Sequence, residues 1–367
     1  MSEIKNVLNI QEIDSFMKVE TIENSGITWY SPKKHPFRLS GFAWFDMDGI
    51  YRRLPLKPKW PVSQQVDSLA NNTSGGQISL KTNSSRLLIK ASLTAASNMY
   101  HMPATGQCGF DCYLGSPLNQ IYCSTTKYDH TQTSYEYVLF DLKEVKMREI
   151  TLNFPLYQGV KEILLGLIKD AEVYPPEPYV INKPVVFYGT SITQGGCASR
   201  PGMSFTNIIS RRLNIECINL GFSGNGRGEP EMARIFTKIK NPACIVLDYE
   251  ANASDGTLER TLKEFIDILR DKHPFVPVLV LSKIRYATEN YNQNALNKRL
   301  QLKQFQYDLI NDLRAKGDEN IYFYAGDLFL GDDFDECTVD GVHPTDLGFM
   351  RIAQKLAPLL ESILFPY

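Results

Sequence analysis

The chain has 367 residues, a length that suits two domains better than one core. Hydrophobic residues make up 43% of the sequence and charged residues 22%, the composition of an ordinary globular protein. The formal net charge is -2 with acidic and basic residues interspersed, which argues against nucleic acid as a partner.

The N-terminal residues 1–5 show no basic stretch followed by an apolar stretch, so the sequence as it stands carries no secretion signal. We expect a cytoplasmic protein if Met1 is the native start, and a secreted or periplasmic one if a signal peptide has been removed. Apolar runs all fall short of the roughly 18–20 residues that cross a bilayer, so we expect no membrane partner.

Residues 1–176 are typical of β structure. The runs 86–93 and 135–142 are rich in strand formers, and turn-forming stretches such as 71–76 separate the runs. Many short strands with frequent turns predict an all-β sandwich of jelly-roll type. The prolines at 175, 176 and 178 indicate a stiff linker, so we place the domain boundary between residues 176 and 177.

In residues 177–367, short apolar runs alternate with helical patterns five times. The predicted strands are residues 184–188, 216–220, 243–247, 277–281 and 321–324, and the predicted helices are 205–213, 229–238, 258–269, a long helix ending near 315, and 344–364. This alternation predicts a three-layer α/β domain with a mainly parallel sheet covered on both faces. Functional sites in such sheets lie at the carboxyl ends of the strands.

A serine follows the first of these strands, in the loop 189–196. A serine on a strand-to-helix turn can project its hydroxyl above the sheet, and the helix N-terminus would stabilise negative charge beside it. Ser191 is therefore a candidate nucleophile. Helix capping is the alternative, since it is the commonest role of serine at such a position.

The next two loops offer hydrogen-bond donors. Loop 219–228 is rich in glycine, which lets a backbone N–H approach a ligand closely. After the third strand, the amide of Asn252 could donate to an oxyanion, with an Asx turn or helix cap as the alternative. The glycine loop also partly matches a nucleotide-binding fingerprint, although Gly224, Gly226 and Gly228 give G-x-G-x-G instead of G-x-G-x-x-G.

The loop before the last helix contains Asp340 and His343. In an Asp-x-x-His segment the carboxylate can fold back onto imidazole Nδ1, which leaves Nε2 free as a base. Taken together, the four loops place a nucleophile, oxyanion donors, a base and an orienting acid at one edge of one sheet, as acyl transfer requires. The nucleotide hypothesis explains one loop and gives no role to Ser191 or His343.

In these loops the sequence resembles the SGNH, or GDSL-like, hydrolases, a family defined by four blocks that supply Ser, Gly, Asn and His in that order. The blocks correspond to Ser191, Gly224, Asn252 and His343, with Asp340 three residues before the histidine. The resemblance implies a flavodoxin-like α/β fold and a triad of serine, histidine and aspartate. It also implies an oxyanion hole made by the N–H groups of Ser191 and Gly224 and the side chain of Asn252.

Two blocks depart from the family pattern. Thr190 stands where the first block has Asp, and residues 250–253 replace the usual Gly-x-Asn-Asp of the third block. Residues 189–195 resemble a subgroup with Gly-Ser-Ser-Ile-Thr-x-Gly, whose members carry an N-terminal β domain with a Gly-x-Asp-Leu-Tyr motif. Residues 109–113 resemble that motif, with Cys112 in place of Leu.

The resemblance implies a serine esterase that forms an acyl-enzyme on Ser191 and needs no cofactor. Because the subgroup resembles carbohydrate esterases that remove acetyl groups, we expect short-chain acyl esters, with acetyl and a carbohydrate alcohol as the favoured substrate. Arg200 and Arg227 lie on loops that should border the site and are candidate substrate ligands, with solvated surface arginine as the alternative. Cys197 lies a turn too far along to be the nucleophile.

The seven cysteines are an odd number, and Cys217 and Cys244 lie in apolar runs, which indicates free core thiols. No histidine stands at ligand spacing beside Cys108, Cys112 and Cys123, so we expect no resident metal.

A non-catalytic glycan-binding protein with a degenerate hydrolase domain is the alternative function. Its candidate sugar platforms are Trp29, Trp44 and Trp60, although such tryptophans more often pack in cores. Five intact site residues argue against degeneration. A nucleotide-dependent enzyme is a third hypothesis, and it predicts a thermal shift with NAD or ATP.

Overall fold

The N-terminal half of the protein, seen in a computed structural model that describes residues 8–19 and 24–366, is built from two antiparallel sheets. One has the strand order β1-β9-β4-β7, and the other β10-β3-β8-β5-β6 with β2 beside β3. The strands are β1 (Ile27–Tyr30), β2 (Arg38–Ser40), β3 (Gln77–Thr82), β4 (Arg86–Leu93), β5 (Asp111–Leu114), β6 (Ile121–Thr125), β7 (Ser134–Asp141), β8 (Arg148–Asn153), β9 (Val160–Ile168) and β10 (Val173–Tyr174).

Strand periodicity explains how the two sheets share a core. Alternate residues of β4, from Leu87 through Ile89 to Leu93, point into one apolar cluster, which also receives Ile78 from β3 and Leu152 from β8. Since β4 and β3 belong to different sheets, this cluster lies between them and makes the unit a sandwich. Short helix α1 (Ile10–Ile13) precedes β1, and α2 (Phe45–Asp48), α3 (Gln64–Leu69) and α4 (Ala104–Cys108) lie in the connections between strands.

The C-terminal half is a five-stranded parallel sheet with the order β12-β11-β13-β14-β15. Its elements are β11 (Val185–Gly189), α5 (Ser191–Gln194), α6 (Phe205–Leu213), β12 (Cys217–Gly221), α7 (Pro230–Phe236), β13 (Cys244–Asp248), α8 (Thr257–Lys272), β14 (Val278–Leu281), α9 (Gln293–Ala315), β15 (Ile321–Tyr324) and α10 (Asp346–Leu364). Every predicted strand and helix of this half is present, and α6 and β15 have the predicted bounds.

The two faces of this sheet belong to different cores. Val186 and Tyr188 of β11 enter one apolar cluster, whereas Val185 and Phe187 enter the other. Helices cover both faces, which confirms the predicted three-layer α/β arrangement behind an all-β domain. Helix α5 is absent from the sequence-based prediction because four residues are too short to show a helical period.

The halves also share their apolar interiors. Trp44 and Val66, from the N-terminal half, pack in the same cluster as Leu220 of β12, and Leu156 joins the cluster on the opposite face. Strand β10 ends at Tyr174 and β11 begins at Val185. The boundary predicted between residues 176 and 177 falls in this connection and stays a prediction.

Among the described residues, no helix is long and apolar enough to cross a membrane. All seven cysteines are free thiols, and Cys217 and Cys244 are buried, as predicted.

A buried arginine joins the halves through backbone carbonyls. Arg53 is fully buried and donates to the carbonyl oxygens of Leu69 and Asn72 in its own half, both at 2.8 Å. It also donates to the carbonyls of Asn219 and Gly221 on β12. Because β12 is an edge strand, these carbonyls have no neighbouring strand to bond, and the guanidinium satisfies them. Burial lowers the pKa of Arg53 to about 9.

We therefore expect Arg53→Met to leave buried carbonyls without donors and to lower the free energy of unfolding by about 3 kcal/mol. Urea denaturation checks this value. Arg52→Met is the matched control, since Arg52 donates to Asp67 and Asn71 within its own half. Equal losses in the two variants would contradict a role of Arg53 in joining the halves.

Candidate active site

Ser191 is the first residue of α5, immediately beyond the carboxyl end of β11. The hydroxyl of Thr190 caps this helix by accepting the N–H of Ile192 at 3.3 Å, and Thr193 Oγ1 accepts the Thr190 N–H at 3.2 Å. Thr190 thus caps the helix at the position where the family pattern has aspartate. Ser191 is 8% exposed, so its hydroxyl lies in a largely enclosed position.

The imidazole of His343 lies between Ser191 and Asp340. Ser191 Oγ is 2.9 Å from His343 Nε2, and His343 Nδ1 is 2.7 Å from Asp340 Oδ2. The other carboxylate oxygen of Asp340 accepts the N–H groups of Val342 and His343 at 3.0 and 2.8 Å. The carboxylate is therefore fixed by the turn in which it stands, and it holds the ring with Nε2 facing the serine.

The charge of Asp340 follows from the same contacts. Burial on its own raises the pKa of this carboxyl, but the hydrogen bonds from the amide and ring of His343 outweigh burial. The pKa of Asp340 consequently lies below its ordinary value of 3.8. An ionised carboxylate at neutral pH can stabilise a positively charged imidazole.

Three hydrogen-bond donors predicted for an oxyanion hole are placed by the adjoining loops. In the described part of the chain, no protein acceptor takes the N–H of Ser191 or of Gly224. Gly224 has φ +68°, and a Cβ there would meet no atom within 4 Å, so its backbone borders open space. Asn252 donates one amide hydrogen to the carbonyl of Phe222 at 3.3 Å and keeps the second hydrogen for another acceptor.

The other glycines of this loop are explained by packing. A Cβ on Gly226 would lie 1.8 Å from the carbonyl oxygen of Gly189, and one on Gly228 would lie 2.4 Å from the ring of Tyr249. These residues are small because the loop passes directly over β11 and β13. Two of the three glycines in the G-x-G-x-G pattern thus have a packing role within the α/β half.

Glu250 replaces glycine in the third family block and anchors the loop that carries Asn252. Its side chain is buried and accepts the N–H of Lys283 and the amide of Gln306, both at 2.7 Å. Burial raises the pKa of Glu250 above its ordinary value. The departure from the family pattern therefore connects this loop to the segment that follows β14 and to α9.

The N-terminal half holds α5 in place, which the sequence did not reveal. Ser74 Oγ donates to the carbonyl of Gln194 at 2.6 Å, and Gln194 Nε2 donates to the carbonyl of Leu156 at 3.1 Å. Gln194 Oε1 accepts the N–H of Ser223 from the glycine loop at 3.1 Å. Tyr157 reaches the serine itself, since its hydroxyl donates to the Ser191 carbonyl at 3.3 Å. No local pattern in the sequence signals such long-range contacts.

A loop of the N-terminal half also reaches the histidine. The ring of His101 packs edge-on against His343 with centroids 5.6 Å apart, and Tyr100 stacks on His101 at 4.5 Å. Tyr100 is 95% exposed. Sequence analysis missed both residues, although the rarity of histidine, with five in the chain, was a signal that could have drawn attention to His101.

The two arginines predicted to bind substrate are engaged elsewhere. Arg200 Nη1 contacts Asp111 Oδ2 at 2.7 Å and the hydroxyl of Tyr113 at 2.6 Å, both from the Gly-x-Asp-x-Tyr motif. This arginine therefore joins the two halves of the protein. Arg227 pairs with Asp255 on a more exposed surface. Substrate binding by either arginine stays a prediction.

Cys197 is buried close to Asp340 and His343. Burial, together with the negative charge of Asp340, raises the pKa of its thiol to about 12. Since a nucleophilic cysteine needs the thiolate, this supports the rejection of Cys197 as nucleophile.

Comparison with known proteins gives matches over both halves. The GDSL-like Lipase/Acylhydrolase family matches residues 182–361, and the family described as the N-terminus of Esterase_SGNH_hydro-type matches residues 27–173. The structure of a GDSL-like lipase from Bacteroides ovatus is 31% identical with a TM-score of 0.83, and the match covers 92% of this chain and 98% of that one. The chain belongs to the GDSL-like lipase/acylhydrolase family. The predicted family, fold class and general esterase function are therefore confirmed.

More distant structures share the family fold. The salicylyl-acyltransferase SsfX3 from a tetracycline biosynthetic pathway has a TM-score of 0.74 at 17% identity, with 94% of this chain and 99% of that chain covered. A family two carbohydrate esterase from Clostridium thermocellum, in complex with cellohexaose, has a TM-score of 0.56 at 16% identity, with 79% and 93% covered. Among curated protein sequences, none matches this chain.

A buried carboxyl below the serine makes stability depend on pH. Asp248, at the end of β13, accepts the hydroxyl of Thr193 at 2.8 Å, and burial raises its pKa from 3.8 to about 7. Because the folded state binds this proton more tightly than the unfolded state, the stabilising effect is complete below about pH 4 and is lost as pH rises towards 7. We expect Asp248→Asn to raise the melting temperature at pH 8 relative to wild type, with a smaller gain at pH 5.

Asp255→Asn serves as the control for this measurement. Hydrogen bonds from Thr257 and Arg227 lower the pKa of Asp255 to about 2, so its ionisation does not change between pH 5 and 8. A pH-independent effect of Asp248→Asn over the same range would contradict the raised pKa.

Proposed function

We propose that this family member is a serine esterase that hydrolyses short-chain acyl esters through an acyl-enzyme on Ser191. The observation that carries the proposal is the continuous chain of contacts from Ser191 Oγ to His343 Nε2 and from His343 Nδ1 to Asp340. Both distances lie in the hydrogen-bond range that a nucleophile, base and orienting acid require. Membership of an esterase family supports the same chemistry.

In the first step, His343 Nε2 takes the proton of Ser191 Oγ while this oxygen attacks the ester carbonyl. Asp340 stabilises the imidazolium through its bond to Nδ1. His343 then gives the proton to the leaving alcohol as the tetrahedral intermediate collapses to the acyl-enzyme. Water repeats the sequence, with His343 again as base, and releases the carboxylic acid and free Ser191.

The N–H groups of Ser191 and Gly224 and the remaining amide hydrogen of Asn252 stabilise the oxyanion in both steps. Two structural features support this assignment. The backbone N–H groups of Ser191 and Gly224 have no protein acceptor among the described residues. The Ser191 N–H also lies in the first turn of α5, where N–H groups have no partner within the helix. No part of this mechanism uses a metal or organic cofactor.

The favoured substrate is an acetyl ester on a carbohydrate. The exposed ring of Tyr100, beside the His101–His343 pair, supplies an aromatic surface of the kind on which sugar rings stack. A family two carbohydrate esterase and a salicylyl-acyltransferase share this fold, and both names support acyl chemistry as the proposal. The acyl group and the alcohol both belong to the proposal.

The non-catalytic glycan-binding alternative is less well supported. Of its candidate sugar platforms, Trp44 is 8% exposed and packs in the core shared by the two halves. Trp60 is partly buried against the same core, and Trp29 lies in β1 with the ammonium of Lys90 over its ring.

We expect wild type to hydrolyse p-nitrophenyl acetate faster than the butyrate and octanoate esters. Ser191→Ala should lower kcat by about 10⁴–10⁶-fold, because the nucleophile is lost while the binding groups remain. Steady-state kinetics measure both results. Ser254→Ala, an exposed serine beside the Asn252 loop, is the control and should keep wild-type kcat. Equal activity of wild type and Ser191→Ala would refute the assignment of Ser191 as the nucleophile.

Asn252→Ala should lower kcat by about 10²–10³-fold, with a much smaller change in KM. The amide contributes mainly where negative charge develops, so its loss acts on the transition state more than on substrate binding. The exposed Asn290 supplies the control substitution Asn290→Ala. An increase in KM at unchanged kcat would place Asn252 in substrate binding instead of the oxyanion hole.

A further inference from the structure

Three side chains with metal-ligating atoms meet beside the proposed base. One ligand atom each from His101, Cys197 and His343 lies within 4.8 Å of the other two. They come from separate segments: the loop between β4 and α4, the turn after α5, and the loop before α10. The cluster therefore depends on the contact between the two halves. Its three residues are too far apart in the sequence to form a recognisable metal-binding motif.

Two features of the cluster have no role in the esterase mechanism. His101 Nδ1 is buried and has no hydrogen-bond partner among the described residues. An unsatisfied buried polar atom destabilises the folded state and calls for an explanation such as an ion or water. Cys197 has φ +75°, a conformation rare for a residue other than glycine or asparagine, and this turn brings its sulfur into the cluster.

Two imidazole nitrogens and one thiolate form a ligand set suited to Zn²⁺, a borderline-soft cation that prefers nitrogen and sulfur. Zn–N bonds of about 2.0 Å and Zn–S bonds of about 2.3 Å place ligand atoms roughly 3.5 Å apart in a tetrahedron. The cluster reaches this spacing if its members close by about 1 Å. His101 lies in the connection between β4 and α4, next to the exposed Tyr100.

The hydrogen bond to Asp340 decides which atom of His343 is available. Nδ1 is engaged by the carboxylate, so Nε2 is the nitrogen left for a metal. A carboxylate–histidine–metal arrangement of this kind is the usual support for a zinc-bound imidazole. Nε2 is also the atom that faces Ser191 Oγ, so a cation on it and proton transfer from the serine exclude each other.

We propose that His101, Cys197 and His343 form an inhibitory site for Zn²⁺, which blocks the esterase by occupying the nitrogen that acts as base. On binding, the Cys197 thiol releases its proton to solvent and a Zn–S bond forms, with no oxidation or reduction. The fourth position is left for water or Ser191 Oγ. The inhibition rests on the proposed function, because it requires His343 to be the catalytic base, whereas the binding site does not.

Cobalt(II) titration of the full-length protein tests the site without reference to activity. Cobalt is a spectroscopic substitute for zinc, and bonding to a thiolate gives an intense charge-transfer absorption. We expect this absorption in wild type, its loss in Cys197→Ala, and at least about tenfold weaker binding in His101→Phe. Phenylalanine keeps an aromatic ring between Tyr100 and His343 but supplies no ligand atom.

Cys123→Ser is the matched thiol control. Cys123 is the least buried of the seven cysteines, and a hydrogen bond with Cys112 lowers its pKa to about 7, which makes it the strongest competing thiol. The cobalt spectrum should be unchanged in this variant. Cobalt binding without thiolate absorption, or absorption lost in Cys123→Ser and kept in Cys197→Ala, would overturn the site.

Inhibition by ZnCl₂ is then measured on p-nitrophenyl acetate hydrolysis. The rate of each variant with zinc is compared with its own rate without zinc, and EDTA is added afterwards to test whether the rate recovers. The concentration giving half inhibition should rise at least about tenfold in His101→Phe and Cys197→Ala, and stay constant in Cys123→Ser. Equal sensitivity of all proteins would overturn the inhibitory role. Absence of esterase activity in zinc-free wild type would instead refute the proposed function, while the cobalt spectra still decide the site.

Discussion

The position of the four-residue helix α5 is the constraint on which the proposed chemistry depends. A helix this short has little stability of its own, so hydrogen bonds from other elements must hold it. Thr190 caps the start of the helix. Gln194, at its end, forms hydrogen bonds with Ser74 and Leu156 of the N-terminal half. Gln194 also accepts the N–H of Ser223 from the glycine loop. Ser191 thus lies at the point where both halves and the proposed oxyanion loop meet.

The N-terminal half consequently helps to position the proposed site. Its apolar residues enter both cores of the parallel sheet, and Arg53 satisfies the free carbonyls of the edge strand β12. Asp111, from the motif that the sequence only suggested by resemblance, pairs with Arg200 and accepts the N–H of Gly202 across the same boundary. The motif therefore acts as a contact between the two halves in this chain.

Sequence reasoning found the elements whose signals are local. The five buried strands stand out as short apolar runs, and Asp340 and His343 lie three residues apart within one turn, so their pairing could be predicted. The contacts that Gln194, Tyr157 and His101 make at the site could not be predicted from the sequence. Each contact joins segments that lie far apart in the chain. The ion pair of Arg200 with Asp111 was equally hidden from sequence reasoning, because it spans 89 positions.

Acyl-enzyme trapping tests the central claim most directly. The wild-type protein is mixed with p-nitrophenyl acetate, quenched in acid within the first turnover, digested, and mapped by mass spectrometry. The account predicts one acetyl group on the peptide containing Ser191, located on the serine by fragmentation and absent in Ser191→Ala. Acetylation of Cys197 or His343 with Ser191 unmodified, at a rate matching turnover, would contradict it.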